Sequence, residues 1–502
     1  MDAFAKYTTK ETYEKIVDYA SVSQMWAHSI ATYPNNIALV DNGENISYLL
    51  LEEQVAKMRT VLVEKGIKKG DYVGVYIPNS ANFAKAFLAI TTLGACAVLM
   101  PPHLDAVTVF GCSLKFGLKA LVCAESLKEN TKFLQEKRPD FTIIGENESK
   151  EEKTDLVLVE GEAPCTVIFT GGTTGKSKGA LLNNKAVLKG TKNGCYGTMD
   201  VFEQKYLLVL PLTHVFGLIR NLLTSLYTGS TLFICRNNKD MFRDVATFNP
   251  TIMVMVPALA EMCLNLSKQF KRNMLGTSLK NIICGAATVP PYLVTEYEKF
   301  GIDLLPGYGL TESANLVSGN AEPKRKVGSV GLMYDGMDYK IVDGELWLKG
   351  DNMLTCYVGE PEENAIAFED GYFKTGDLVR IDEEGYLYIV GRKKEIIVLP
   401  TGENISPAEI EAEFAKIDAL QDCLVYESTV DGKSVLALEV YPRATILATI
   451  DVEDKDAYLK EQINLVNKTL PSFKRISKIV IRTTDFVRSP SMKIVRSENG
   501  KN

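Results

Sequence analysis

The sequence is poor in the residues that build metal cages. It has three histidines, His28, His103 and His214, and no two of its ten cysteines lie within four positions of each other. A structural zinc needs four clustered thiolate or imidazole ligands, and this spacing supplies neither such a cluster nor a CxxC pair. It supplies no disulfide frame either, so the cysteines read as reduced, mostly buried thiols of a cytosolic protein. An excess of positive charge is also missing. Lys and Arg number 56 against 63 Asp and Glu, a net charge of −7, which argues against a dedicated nucleic-acid binder. Long apolar runs are scarce. The stretch nearest to membrane-span length, Ala86 to Leu104, contains Thr91, Thr92, Gly94 and the pair Pro101–Pro102. It reads as a core helix, a glycine turn and a buried strand, not as a span. The opening residues, MDAFAKYTTKETYEK, lack the apolar centre of a signal peptide, so the expectation is a cytoplasmic protein with no integral membrane segment.

What is present is ordinary globular material. Hydrophobic residues make up 46% and charged residues 24% of 502 positions, the balance of a soluble fold, and at roughly 100–200 residues per domain there is chain for about three. SVSQMWAHSI and LLLEEQVAKMRTVLVEKG carry helical apolar periods, the second followed by Gly66 where a helix would stop. Between and after them run short apolar segments: IALVD, YVGVYI, KALVCA, CTVIF, KYLLVLPL, STLFIC, TIMVMVP and KNIICGA. Such alternation predicts an α/β fold with largely parallel sheets. Beyond about residue 320 the texture becomes strand–turn–strand, with DEEG as a hairpin connection. ISPAEIEAEF then starts afresh, with Ser406 as N-cap, Pro407 at the first helical position and Glu409 closing a capping box. A boundary near Gly391–Lys394 follows, dividing the chain into residues 1–391 and 392–502.

The most concentrated feature is FTGGTTGKSKG, Phe169 to Gly179, entered directly from the strand CTVIF. Glycines let backbone amides turn toward an anion, threonine hydroxyls donate and lysines add charge, so the segment reads as a polyphosphate cradle. It is not a Walker A loop. That motif needs four residues between its two glycines, and only Gly172, Thr173 and Thr174 separate Gly171 from Gly175. A flexible surface turn and a generic P-loop NTPase are the alternative readings.

The segment closely resembles the (Y/F)TSGTTGxPKG loop of the AMP-forming adenylating superfamily, which includes acyl-CoA synthetases, peptide-synthetase adenylation domains and luciferases. Further segments match in the same order: PLTHVFG, ICGAATVP, GYGLTES, KTGDLVRIDEEGYLYIVGRKKEII, GENISPAEIE and LPSFKRISKIVIRTTDFVRSPSMKIVR. Together they span about residues 20–496. The resemblance implies a large compound N-terminal domain, with two mainly parallel sheets and a small barrel-like β region, and a small mobile α/β C-terminal domain. It implies that a carboxylic acid is joined to AMP with release of pyrophosphate and then passed to a thiol, with ATP, Mg²⁺ and coenzyme A as cofactors. The carboxylate must approach a highly anionic nucleotide, so positive charge shielded from water is needed to offset the repulsion.

By the same resemblance, Thr170, Gly171, Gly172, Thr173, Thr174, Gly175 and Lys178 hold the β- and γ-phosphates. Thr311 and Glu312 sit by the α-phosphate, and Glu312 and Thr170 hold Mg²⁺, a hard cation that prefers oxygen. Gly285, Ala286, Ala287, Tyr308 and Gly309 border the adenine. Asp377, assisted by Arg392 and beside Ile389, accepts from the ribose hydroxyls. His214 borders the substrate carboxylate, Phe216 lines the acyl channel, Gly402 permits passage of the thiol arm, Lys394 is the hinge, and Lys493 reaches the α-phosphate and carboxylate during adenylation. Three positions depart from the pattern: Gly171 replaces a usual Ser, Ser177 a usual Pro, and Met492 the usual Gly before Lys493. The last puts the pose of Lys493 at issue if that position needs φ > 0. The segment around residues 394–411 looks most like fatty-acyl members, which favours a fatty or similar apolar acid and CoA as acceptor. An acyl-AMP ligase that loads a separate carrier protein, and a low-turnover nucleotide or acyl-adenylate binding protein, are the other functions weighed.

Overall fold

Each short apolar run named above becomes a strand, because helices on both sides bury both of its faces. The computed structural model describes residues 6–170, 178–322, 324–398, 403–430, 433–488 and 494–500. By contact the chain forms two units: Met1–Tyr339, Leu348–Phe373 and Glu383–Leu387 in the first, and Lys340–Trp347, Lys374–Asp382 and Tyr388–Asn502 in the second. The assignment interleaves along the chain because strand pairing is non-local: segments before residue 391 join the later unit through their hydrogen bonds.

The first unit holds two large sheets. In one, Lys178–Asn183, Pro164–Thr170, Cys96–Leu99, Tyr72–Tyr76, Ala120–Cys123 and Thr142–Gly145 lie side by side, with the short strand Cys356–Tyr357 on the outer edge of Lys178–Asn183. Its pairings are parallel from Pro164–Thr170 to Thr142–Gly145. In the other, Asn281–Cys284 is parallel to both Ile252–Met255 and Asp303–Leu310, and the series continues through Lys205–Leu208, Thr231–Ile234 and Ile37–Asp41. Helices Val22–Thr32, Tyr48–Glu64 and Ala81–Thr92 start on Ser21, Ser47 and Ser80, whose side chains accept from the backbone amide three residues on, a cap worth about 1 kcal/mol each. One continuous core joins Trp26, Phe83, Phe87, Tyr206 and Leu304. The run Ala86–Leu104 resolves into the end of helix Ala81–Thr92, a turn at Gly94 and strand Cys96–Leu99. Among the described residues no helix is long and apolar enough to cross a membrane. All ten cysteines are free, eight of them buried.

The second unit contains most of a five-stranded sheet built from residues 337–392, in which DEEG connects Tyr372–Ile381 to its neighbour Leu387–Arg392. Its later part is a small α/β module. Leu420–Val430 and Lys433–Pro442 pair antiparallel, Lys478–Ile481 adds in parallel, and helices Pro407–Phe414 and Lys455–Thr469 cover the sheet. Phe414, Leu438, Val440, Leu459 and Ile463 form its own core. One sequence expectation fails here. Ser406 does stand at the N-cap, but its side chain caps nothing; its hydroxyl donates to the Val390 carbonyl at 2.7 Å. Glu409 pairs with Lys474 at 2.6 Å instead of closing a capping box. Tertiary partners outcompete the local ones.

Candidate active site

The glycine-rich loop leaves and re-enters one sheet. Strands Pro164–Thr170 and Lys178–Asn183 are antiparallel, with Thr170 opposite Lys178 and Phe169 opposite Gly179. Both ends are therefore fixed, and Thr170 and Lys178 are buried. Gly171, Gly172, Thr173, Thr174 and Gly175 lie outside the described residues, as do Gly402, Met492 and Lys493.

Lys178 is not alone. Its Nζ is 2.6 Å from Glu363 Oε2 and 5.3 Å from the centre of the Tyr357 ring. Tyr357 stands on the edge strand, opposite Ala180, and its hydroxyl donates to Glu312 Oε1 at 2.8 Å. Burial first, and then the Glu312 carboxylate, hold the Tyr357 hydroxyl far above its ordinary pKa, so it stays a neutral donor. The result is a continuous run from Glu363 through Lys178 and Tyr357 to Glu312. Among the described residues Glu312 forms no ion pair. A carboxylate held by a neutral phenol rather than neutralised by a cation suits a hard divalent ion. Tyr357 and Glu363 carried no sequence signal. Residues 356–363 match no motif, and the pairing of Cys356–Tyr357 with Leu181 and Ala180 is what brings them to Lys178.

Glu312 sits on the short turn Thr311–Ser313 at the end of strand Asp303–Leu310. The turn is locked from both sides. The Leu310 amide donates to Ser313 Oγ at 2.9 Å, Ser313 Oγ donates to the Asn315 carbonyl at 2.8 Å, and Asn352 Nδ2 donates to the Ser313 carbonyl at 2.9 Å. A Cβ on Gly309 would run into the Asn315 carbonyl, so the strand can turn there only as glycine. Ala314 and Ala286 both have left-handed φ, +49° and +66°. Such strain in non-glycine residues is costly and gathers at functional sites. Tyr308, one residue before Gly309, is buried. Ala287 is exposed beyond the end of strand Asn281–Cys284.

His214 is half-buried at the entrance to a π-helix, Phe216–Leu223, a helix type found frequently at functional sites. Its amide donates to the Pro211 carbonyl at 3.1 Å and its carbonyl accepts from Leu218 at 2.8 Å. Gly217 packs so closely that a Cβ would strike the Pro211 carbonyl. Phe216 Cζ lies 3.5 Å from the place a Cβ on Gly285 would take, and that place is 3.0 Å from the Gly307 carbonyl. The structure thus brings Phe216, Gly285 and the Gly307–Glu312 segment together.

In the second unit, Asp377 is buried and pairs with Arg392, Nε to Oδ1 at 2.7 Å. Its amide donates to Thr375 Oγ1 at 3.0 Å, and the preceding Gly376 amide donates to Glu345 Oε1 at 3.0 Å. Lys393 holds the other Glu345 oxygen at 2.9 Å. Ile389 is half-buried on the same strand as Arg392, and Lys394 is exposed on the turn that follows. Arg392 and Asp377 are therefore ion-pair partners. Glu345 was missed because an acid in GELWLKG looks like any solvated strand residue.

Two family models match. That of the AMP-binding enzyme covers residues 26–358, and that of the AMP-binding enzyme C-terminal domain covers residues 394–502. The chain belongs to the AMP-binding enzyme family. Among curated relatives it is 27% identical to 4-coumarate–CoA ligase-like 6 of Arabidopsis thaliana, over 95% of this chain and 89% of that one. It is 28% identical to long-chain-fatty-acid–CoA ligase FadD13 of Mycobacterium tuberculosis, over 90% and 92%. Among solved structures, the anthranilate CoA ligase AuaEII in complex with anthranoyl-AMP superposes with a TM-score of 0.86 at 18% identity, covering 96% and 97%. That likeness confirms the α/β fold with a separate C-terminal domain.

Proposed function

We propose that this enzyme, an AMP-forming acid–thiol ligase with ATP, Mg²⁺ and coenzyme A as cofactors, activates a fatty or similarly apolar carboxylic acid. The acid is joined to AMP, pyrophosphate leaves, and the acyl group passes to the thiol of coenzyme A. The observation that carries this reading is the Lys178–Tyr357–Glu312 run at the strand end that follows the glycine-rich segment, which sets a buried cation and, among the described residues, a carboxylate without an ion pair at one place. Bound Mg²⁺ would offset the charge of the polyphosphate. Glu312 and Thr170 are its protein ligands in this proposal, and Tyr357 fixes the orientation of Glu312. Lys178 and residues 170–175 position the β- and γ-phosphates. Asp377 accepts from the ribose, held in place by Arg392. His214 and Phe216 border the acid where it meets the α-phosphate. Lys493 supplies positive charge to the pentacovalent phosphorus and the attacking carboxylate. Residues 1–391 form the adenylating part, 392–502 the mobile part, and Lys394 the hinge. Ten free thiols support a reducing, cytoplasmic setting.

The test is to supply ATP, Mg²⁺ and a panel of carboxylic acids, to follow pyrophosphate, and then to add coenzyme A or a phosphopantetheinylated carrier protein. Acid-dependent pyrophosphate followed by a CoA thioester is the expected result. Pyrophosphate with thioester formed only on the carrier would replace the second half of the reading. Orthophosphate with ADP would overturn it.

A further inference from the structure

Arg220 is wholly buried; among the described residues none of its guanidinium nitrogens makes a hydrogen bond of good geometry, and the polar group that faces it is the neutral Tyr206 hydroxyl. Among the described residues no carboxylate pairs with it. Two of the groups that feel its charge, Tyr206 and Cys195, are themselves uncharged. Burial pushes the Tyr206 hydroxyl and the Cys195 thiol up to about 12, and the Arg220 guanidinium is the largest opposing influence on each. Tyr334 also feels its charge. The elements around the π-helix carry further polar atoms without a hydrogen bond of good geometry among the described residues: both amide atoms of Asn221, the Oδ1 of Asn193 and of Asn315, and the Tyr206 hydroxyl that faces Arg220. These lie on the π-helix itself or on elements that touch it, namely helix Asn184–Asn193 and strands Lys205–Leu208 and Asn315–Gly319.

A buried guanidinium without a counter-charge is strongly unfavourable, and native proteins leave few buried polar groups unmatched. Water could satisfy single nitrogens but not the charge. A guanidinium fork without a counter-charge matches a carboxylate in shape and charge. Its location says which carboxylate. Arg220 follows Phe216 by four residues on one π-helix, a little under one of its wide turns, so the two lie near one face. The Phe216 ring lies 3.5 Å from the place a Cβ on Gly285 would take, and that same place is 3.0 Å from the Gly307 carbonyl. An acid held for adenylation near His214 and Phe216 would extend along this helix face toward Arg220.

We infer that Arg220 receives a second carboxylate at the far end of the acyl substrate, so that the preferred acids are α,ω-dicarboxylic, with an apolar chain between their charged ends. This rests on the ligase reading and sharpens it. One carboxylate is adenylated, and the other keeps its charge and pairs with the guanidinium. A monocarboxylic acid of the same length leaves Arg220 unmatched.

The experiment compares matched pairs, octanoate with octanedioate and decanoate with decanedioate, by acid-dependent pyrophosphate release. For the unaltered enzyme kcat/KM is expected to be at least tenfold higher for the dicarboxylate. Arg220→Met is expected to reverse the ratio, and Arg220→Lys, which keeps charge but not the fork, to fall between and to serve if the Met variant folds poorly. A ratio that favours the monocarboxylate in the unaltered enzyme, or one that neither substitution moves, overturns the inference. If no acid yields pyrophosphate, the ligase reading fails separately, and binding then decides. Octanedioate that raises Tm in the unaltered protein but not in Arg220→Met upholds the Arg220 site, and an equal or absent shift in both removes it.

Discussion

At the residue scale, the centre of the site is a tyrosine that no motif contains. The Tyr357 hydroxyl is the described group that links the Lys178 neighbourhood to Glu312. Hydrogen bonds to charged groups contribute about 1.5–3 kcal/mol, so Tyr357→Phe is expected to lower kcat/KM for Mg²⁺·ATP by roughly tenfold or more. The loss should appear as a weaker response to Mg²⁺, with the fold intact by circular dichroism. An unchanged Mg²⁺ dependence would show that Glu312 needs no such support. The thiols make a second residue-scale expectation. Burial pushes Cys123, Cys195, Cys235 and Cys263 up to about 12 in the folded protein, whereas an unfolded thiol titrates near ~8.5. Raised folded values mean that their contribution is complete below the unfolded pKa and is lost as pH rises toward the folded one. The urea midpoint should therefore fall between pH 8.5 and 11, and native protein at pH 8 should resist alkylation. A midpoint that holds steady across that range would contradict this.

At the element scale, short buried strands carry the core, and a π-helix carries Phe216 and Arg220. The strand runs were legible because burial on both faces leaves an unbroken apolar string. The π-helix was not. Its first residues lie in the recognised PLTHVFG segment, but nothing in that string distinguishes a π-turn from an α-turn. Gly217 is where the element depends on a missing side chain, since a Cβ would meet the Pro211 carbonyl. Gly217→Ala should shift His214 and Phe216 together. It is expected to raise KM for the acid at least tenfold while changing KM for ATP much less, as steady-state kinetics with each substrate varied would show. Equal effects on both would mean that the helix start serves the fold rather than the acid. The Ser406 capping box failed for a related reason. A local rule pairs it with Glu409, whereas a residue sixteen positions back takes its hydroxyl.

At the scale of the whole molecule, two units with separate cores fit a reaction with two halves. Proline fixes φ and removes a backbone donor, so Lys394→Pro is expected to slow thioester formation by about a hundredfold or more while leaving pyrophosphate release little changed. Single-turnover measurement of each half checks this, and an equal loss in both would remove Lys394 from the hinge.

The sequence by itself determined the strands, the phosphate-loop composition, the order of the motifs and the family. These are written in neighbouring residues, through apolar periodicity and the glycine, threonine and lysine content of one loop. The tertiary structure alone decided which acid tempers Lys178, which phenol holds Glu312, and that Arg220 is buried with no counter-charge among the described residues. Those facts arise from strand pairing and burial between segments far apart in the chain, and an arginine in a sequence looks the same whether water or an apolar core surrounds it.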